Sequence, residues 1–159
     1  IQYMGIEDKF DKQFDVMIRI GSEYPLQILR DDGSTVIRAP MYADLTDRSL
    51  ICAGKVPQGS KVRFSLPPSF DVVERVVDES RQVHREFGDP DAVLMYACKT
   101  RHVSLGPLVS EEIDGIKNAW DRPFAGFFSY GEIGKAIDGH YEYHNNTTAV
   151  VVLKEIETD

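Results

Sequence analysis

Cysteine is scarce in this chain: Cys52 and Cys98 are the two in 159 residues, too few for the disulfide framework of a small secreted scaffold. Both sit beside apolar, strand-like residues, so two reduced and buried thiols are expected. No apolar stretch approaches the ~18 residues of a membrane span, and the opening Ile1-Gln2-Tyr3-Met4-Gly5-Ile6 is too short and wrongly flanked for a secretory signal. The expectation is a soluble, cytoplasmic protein with no membrane partner, in which the overlapping acceptor triplets at Asn145 and Asn146 stay unglycosylated. Basic residues are also short, 18 against 26 acidic for a formal charge of −8. A polyanion partner requires a dense basic surface, which excludes a generic nucleic-acid binder. The one tight basic group is Lys99, Arg101 and His102. The charge is uneven, because residues 1–68 carry nine basic and nine acidic side chains whereas 69–159 carry nine basic and seventeen acidic.

What is present is an ordinary globular composition, 42% hydrophobic and 28% charged. The length fits one domain of roughly 100 to 200 residues with one core. No repeat or low-complexity tract interrupts it. Residues 1–159 are read as a single domain with a core of about 24–153, and because the chain starts at Ile1 rather than a methionine it is expected to be a piece of a longer protein.

Residues 1–22 have no clear pattern. From there, 25–30 and 35–38 flank Asp31-Asp32-Gly33-Ser34, whose Asp-Gly step favours a tight hairpin. Residues 49–53 read as a short strand, 56–60 as turn chemistry, and 61–66 as a strand with Val62, Phe64 and Leu66 inward. The first part is therefore an antiparallel meander. Pro67-Pro68 stops it, and Ser69 is placed to cap a helix with Phe70, Val73, Val76, Val77, Ser80, Val83 and Phe87 on one face and Gly88 at its end. Residues 92–98 are apolar without alternation, as in a strand buried on both faces at the centre of a sheet. Ser110-Glu111-Glu112 begins a second helix with Ile113, Ile116 and Trp120 on one side, weakened by Gly115. Residues 123–130 read as the next buried strand and 147–153 as the last. The fold class is α/β, a mixed sheet joining the meander, a strand-helix-strand crossover and helices packed on the sheet.

The unit formed by residues 92–98, 110–120 and 124–130 is expected to be parallel with a right-handed crossover, and ligands of such sheets bind beyond the carboxyl ends of the strands. One strand ends in Cys98-Lys99-Thr100-Arg101-His102 and the other in Tyr130-Gly131-Glu132-Ile133-Gly134. If the last strand returns antiparallel after a 131–143 loop, its start at His144-Asn145-Asn146-Thr147 reaches the same edge. The candidate ligand-binding residues are Arg101, Tyr130, Gly131, Glu132, His144, Asn145 and Thr147. Each has a plainer reading. Arg101 serves equally as a structural ion-pair residue, with Glu132 as a candidate partner. Tyr130 fits a core aromatic, Glu132 a solvated loop acid, and His144 and Asn145 turn or strand-start caps. The glycines at 126, 131 and 134 fit backbone geometry or close packing.

The stretch Gly54-Lys55-Val56-Pro57-Gln58-Gly59-Ser60-Lys61-Val62-Arg63 resembles the FIST C-terminal domain. So do the strand end at 96–101, the block from Pro123 to Gly134 that includes Gly126-Phe127-Phe128-Ser129-Tyr130-Gly131-Glu132-Ile133-Gly134, and His144-Asn145-Asn146-Thr147-Thr148. The resemblance runs from about Tyr24 to Leu153 and departs from the family at Thr100, where cysteine-x-glycine-arginine is usual. It implies a non-catalytic intracellular sensory module, preceded by a FIST N-terminal domain and joined to a signalling output domain. The ligand it implies is small, an amino acid or related metabolite. In that reading Arg101 takes the ligand carboxylate and Glu132 its ammonium, with help from Tyr130, Asn145 and Thr147.

Three other functions compete. A cysteine-nucleophile enzyme would use Cys98, His144 and Asn145. A haem-binding gas sensor, which the resemblance also admits, would draw a ligand from His84, His102, His140 or His144, although the sequence has no CxxCH; otherwise no cofactor and no metal site is expected. A structural domain would pack on the FIST N-terminal domain with no ligand of its own.

Overall fold

The computed structural model describes residues 16–44, 46–136, 139 and 141–156. The chain enters through a π-helical turn, Met17–Gly21. Strands β1 (Leu26–Leu29) and β2 (Thr35–Arg38) form the expected hairpin. Gly33 supplies its turn, at φ +84°. Strand β3 (Pro40–Asp44) pairs antiparallel with β4 (Ser49–Cys52), and β5 (Lys61–Phe64) returns to the free side of β1, giving the order β2-β1-β5. The meander is thus a three-stranded sheet with a separate two-stranded arm.

The inward placement of Val62, Phe64 and Leu66 is not observed. All three are exposed, Leu66 at 84%. The alternation is real, but among the described residues no second layer covers this edge strand, so period 2 identifies the strand without identifying a buried face.

Helix α1 spans Val72–Phe87 and stops at Gly88, φ +85°. Its start is later than expected. The Ser69 hydroxyl bonds the Asp71 carboxylate and the Ser69 carbonyl accepts from Val72 N–H at 3.1 Å, which leaves Phe70 outside the helix and 97% exposed. Strand β6 (Ala92–Cys98) is the centre of a second sheet, order β10-β6-β7. It runs parallel to β7 (Phe124–Ser129) and antiparallel to β10 (Thr148–Leu153). Between β6 and β7 lie α2 (Lys99–Leu105), which the sequence pattern did not suggest, and α3 (Leu108–Trp120), which starts two residues before Ser110. The presumed 131–143 loop contains another hairpin, β8 (Glu132–Lys135) with β9 (Tyr141–His144).

Helices α1 and α3 cover one face of the second sheet, where Val77, Val93, Met95, Ala97, Ile116 and Trp120 form the core. Each large apolar side chain buried there contributes roughly 1.5–3 kcal/mol. Ser80 belongs to the packed face of α1 because its hydroxyl accepts from Trp120 Nε1–H at 2.8 Å. Gly115 does more than weaken α3: a Cβ there would lie 2.4 Å from Val77 Cγ2, so glycine sets the helix spacing. The expectation that 92–98 is buried on both faces and 123–130 is a buried strand fails on the side opposite the helices. Leu94 and Tyr96 are only half-buried there, and Phe127 is 63% exposed. Strand β7 pairs only with β6 among the described residues, which leaves it an edge.

Candidate functional site

Register alone brings the strand ends together. Cys98 stands beside Ser129, and Thr148 beside Ala97, so the residues following β6 and β7 and those preceding β10 meet at one end of the sheet. Arg101 extends from the first turns of α2. Its Nε donates to both carboxylate oxygens of Glu112, at 2.9 and 3.1 Å, and its Nη2 donates to Oε2. Glu112 is fully buried on α3 and also accepts from Thr148 Oγ1 at 2.8 Å. The guanidinium fork that a ligand carboxylate was expected to occupy therefore holds an internal carboxylate, and Arg101's ion-pair partner is Glu112 rather than Glu132. Arg101 Nη1 reaches the Asn146 carbonyl at 3.5 Å.

Glu132 follows β7 and is buried rather than solvated. Its Oε1 accepts from Ser129 Oγ at 2.8 Å and its Oε2 from Thr147 Oγ1 at 2.6 Å. Burial pushes this carboxyl above the ordinary glutamate range. The two hydroxyls and the charges of His144 and Arg101 offset that only in part. Arg101 is thus near enough for its charge to act on Glu132, and the two lie at the same end of the sheet.

Asn145 is buried, and its Oδ1 accepts from Ala39 N–H at 3.1 Å while its Nδ2 has no hydrogen-bond partner among the described residues. Asn146, at φ +56°, accepts from the Thr100 hydroxyl and donates from Nδ2 to the Gly21 carbonyl at 3.3 Å. The asparagine pair therefore ties the second sheet to β2–β3 and to the π turn. Thr100 shares a 3.0 Å hydrogen bond with Cys98. The Thr100 hydroxyl thus joins the Cys98 thiol to Asn146.

Tyr130 is 65% exposed rather than a core aromatic, and its carbonyl accepts from the Tyr143 hydroxyl at 2.7 Å. Gly131, at φ +148°, packs against that ring: a Cβ would fall 2.1 Å from the Tyr143 oxygen. His144 Nε2 donates to the Gly134 carbonyl at 3.2 Å. Arg101, Glu132 and Thr147 thus meet at the sheet end, Asn145 bonds the β2–β3 junction instead, and Tyr130 and Gly131 lie at the rim. Glu112, Ser129, Asn146 and Thr148 complete the cluster. Glu112 had a signal, since an acid four residues before Ile116 and eight before Trp120 lies on the buried stripe of α3, where a carboxylate needs a cation.

The other chemistries find less here. Cys98 is a buried free thiol bonded to Thr100, and His144 bonds a backbone carbonyl. Cys52 is free and half-buried rather than buried. His84 stacks on Trp120 at 4.8 Å, and His102 stacks on Phe128 at 4.5 Å with Lys99 Nζ 2.9 Å from its Nδ1. His140 lies outside the described residues. Among the described residues no three His, Cys, Asp or Glu side chains are grouped to hold a metal ion, and no helix is long and apolar enough to cross a membrane.

A mixed sheet whose parallel strand ends gather a buried ionic and hydroxyl cluster defines an α/β domain. The sequence matches the FIST C domain family over residues 6–135. The chain belongs to that family, which is sensory and signalling rather than catalytic. The match contains the Gly54–Lys61 stretch, Arg101 and Glu132, and ends before the His144–Thr148 segment. No curated protein and no solved structure matches the chain.

Proposed function

We propose that this FIST C domain is a non-catalytic sensor of a small polar metabolite, an amino acid or close relative, recognised at the carboxyl end of the β10-β6-β7 sheet. The signal then passes to an output domain of the same protein, with a FIST N-terminal domain as neighbour. The observation that carries this reading is Glu132, a buried carboxyl held by two hydroxyls beside Arg101 and pushed up by burial. A buried acid of this kind gains most from a cationic partner, which a ligand ammonium supplies. Arg101, committed to Glu112, fixes the strand ends and biases Glu132, while Asn145 Nδ2 has no partner among the described residues and so an N–H to spare for an acceptor. A thermal-shift screen of the chain against amino acids and small carboxylates tests this reading. Stabilisation by an amino acid that Glu132→Gln removes supports it, and the absence of any stabilising amino acid refutes it.

The second reading, a structural partner domain with no ligand of its own, draws on the open apolar face where Phe127, Val151 and Leu153 are exposed. It predicts that a FIST N-terminal domain, added in trans, protects the amides of β7 and β10 from hydrogen exchange.

A further inference from the structure

Away from the sheet end, the Gly54–Lys61 segment closes over the β2-β1-β5 sheet and leaves a groove of about 580 Å³, within the usual range for small-molecule sites. Its floor is apolar, formed by Ile28 and Val36, which register places opposite one another, with Pro57 from the closing segment. Its back wall is a fixed charge lattice. Arg38 is buried, with Nε donating to the Lys55 carbonyl at 3.0 Å and Nη1 to the Tyr143 carbonyl at 3.0 Å. Glu142 of β9 accepts from Arg30 and, at 3.5 Å, from Arg38, so the carboxylate that two arginines attract is already supplied by the chain.

The glycines of the segment have structural roles. A Cβ on Gly54 would fall 2.7 Å from Arg38 Cδ, so only glycine lets the segment lie on that side chain. Gly59, at φ +81°, makes the turn in which the Pro57 carbonyl accepts from Ser60 N–H at 3.2 Å. That turn presents Lys55 and Lys61 on the same groove, both exposed, with no acidic side chain in ion-pair contact among the described residues. Against Asp31 and Glu142 the four cations leave a local positive excess on a chain whose formal charge is −8.

We propose that this groove is a second binding site, for a small organic anion with an apolar body. The body would lie on Ile28, Val36 and Pro57 and the anionic group between Lys55 and Lys61; Arg30, Arg38 and Glu142 shape the wall without binding the ligand. Carboxylate and phosphate share this chemistry, and two probes separate them. Phenylacetate and phenyl phosphate are titrated into the full chain, followed by backbone amide shifts, with acetate and inorganic phosphate as comparators. At least one aryl anion should move the amides of Gln58, Gly59, Ser60 and Lys61 and bind at least tenfold more tightly than its comparator. Lys55→Gln/Lys61→Gln should weaken it at least tenfold, whereas Lys154→Gln and Glu132→Gln should leave it unchanged. Because Glu132→Gln disables only the sheet-end site, this proposal and the sensor reading fail separately. Failure of both aryl anions to bind, equal affinity for the comparators, shifts centred on residues 129–132, or undiminished binding by the double lysine variant would each overturn the proposal.

Discussion

Arg101→Met is the most informative single change at the sheet end. The substitution keeps most of the side-chain stem and removes the cation that neutralises Glu112, which is fully buried and receives both Arg101 Nε and Nη2. Breaking such a pair from one side costs about 3–5 kcal/mol, because the remaining charge is buried and uncompensated. At this chain length each kcal/mol moves Tm by about 2–4 °C, so a fall of roughly 10 °C is expected. Arg101→Met/Glu112→Leu removes both charges and should recover most of that loss, ending within about 1–2 kcal/mol of the parent with the Thr148 hydroxyl left unpaired. Urea titration followed by the fluorescence of Trp120, the one tryptophan, gives all the values of the cycle. A cost below about 1 kcal/mol for Arg101→Met, as for a solvated surface pair, would refute the reasoning. A double variant no better than the single would refute it equally. The cycle also explains why loss of ligand response in an Arg101 variant is poor evidence for a direct ligand contact.

Glu132 has a raised carboxyl pKa in the folded chain, so its contribution to stability is fully present below the ordinary glutamate value of about 4.3 and is lost as pH rises through the raised folded value. Denaturation midpoints against pH should show that decline, and Glu132→Gln should remove it. Gly126→Ala places a Cβ 2.1 Å from the Met95 carbonyl oxygen of the neighbouring strand, so a loss of at least about 2 kcal/mol is expected by urea titration. Gly115→Ala gains about 1 kcal/mol of helix propensity but drives a Cβ into the buried, stiff Val77, so a net loss of about 1–2 kcal/mol is expected by the same assay. With iodoacetamide at neutral pH, buried Cys98 should stay unmodified in the native chain, and Cys52, whose thiol burial pushes up, should react slowly. Mass spectrometry should find both labelled in urea.

The mixed central sheet was legible because its strands are strongly apolar and a helix-length segment separates two of them, which forces a parallel crossover. The hairpin at Asp31–Ser34 was legible from its turn chemistry. What escaped was set by tertiary context. Helix α2 begins directly after β6 in a polar run that looked like a loop, and β8–β9 lies in a segment whose glycines and charges hid its pairing. Val62, Phe64 and Leu66 alternate as a buried face does but lie on an edge without a second layer. The convergence of Arg101 with Glu132 followed from topology, whereas the identity of Arg101's partner did not. A carboxylate near a helix start reads first as a dipole partner, and only its phase relative to Ile116 and Trp120 shows that Glu112 points inward.

Isothermal titration of the amino acid that gives the largest thermal shift, into the parent chain and into Glu132→Gln, tests the sensor reading most directly. A ligand at a hundred times its Kd stabilises the fold by about 2.7 kcal/mol, so any such hit lies within calorimetric reach. The account predicts one site per chain on the parent and at least a tenfold weaker one on Glu132→Gln at equal folded fraction. Equal affinity on the two chains would contradict it.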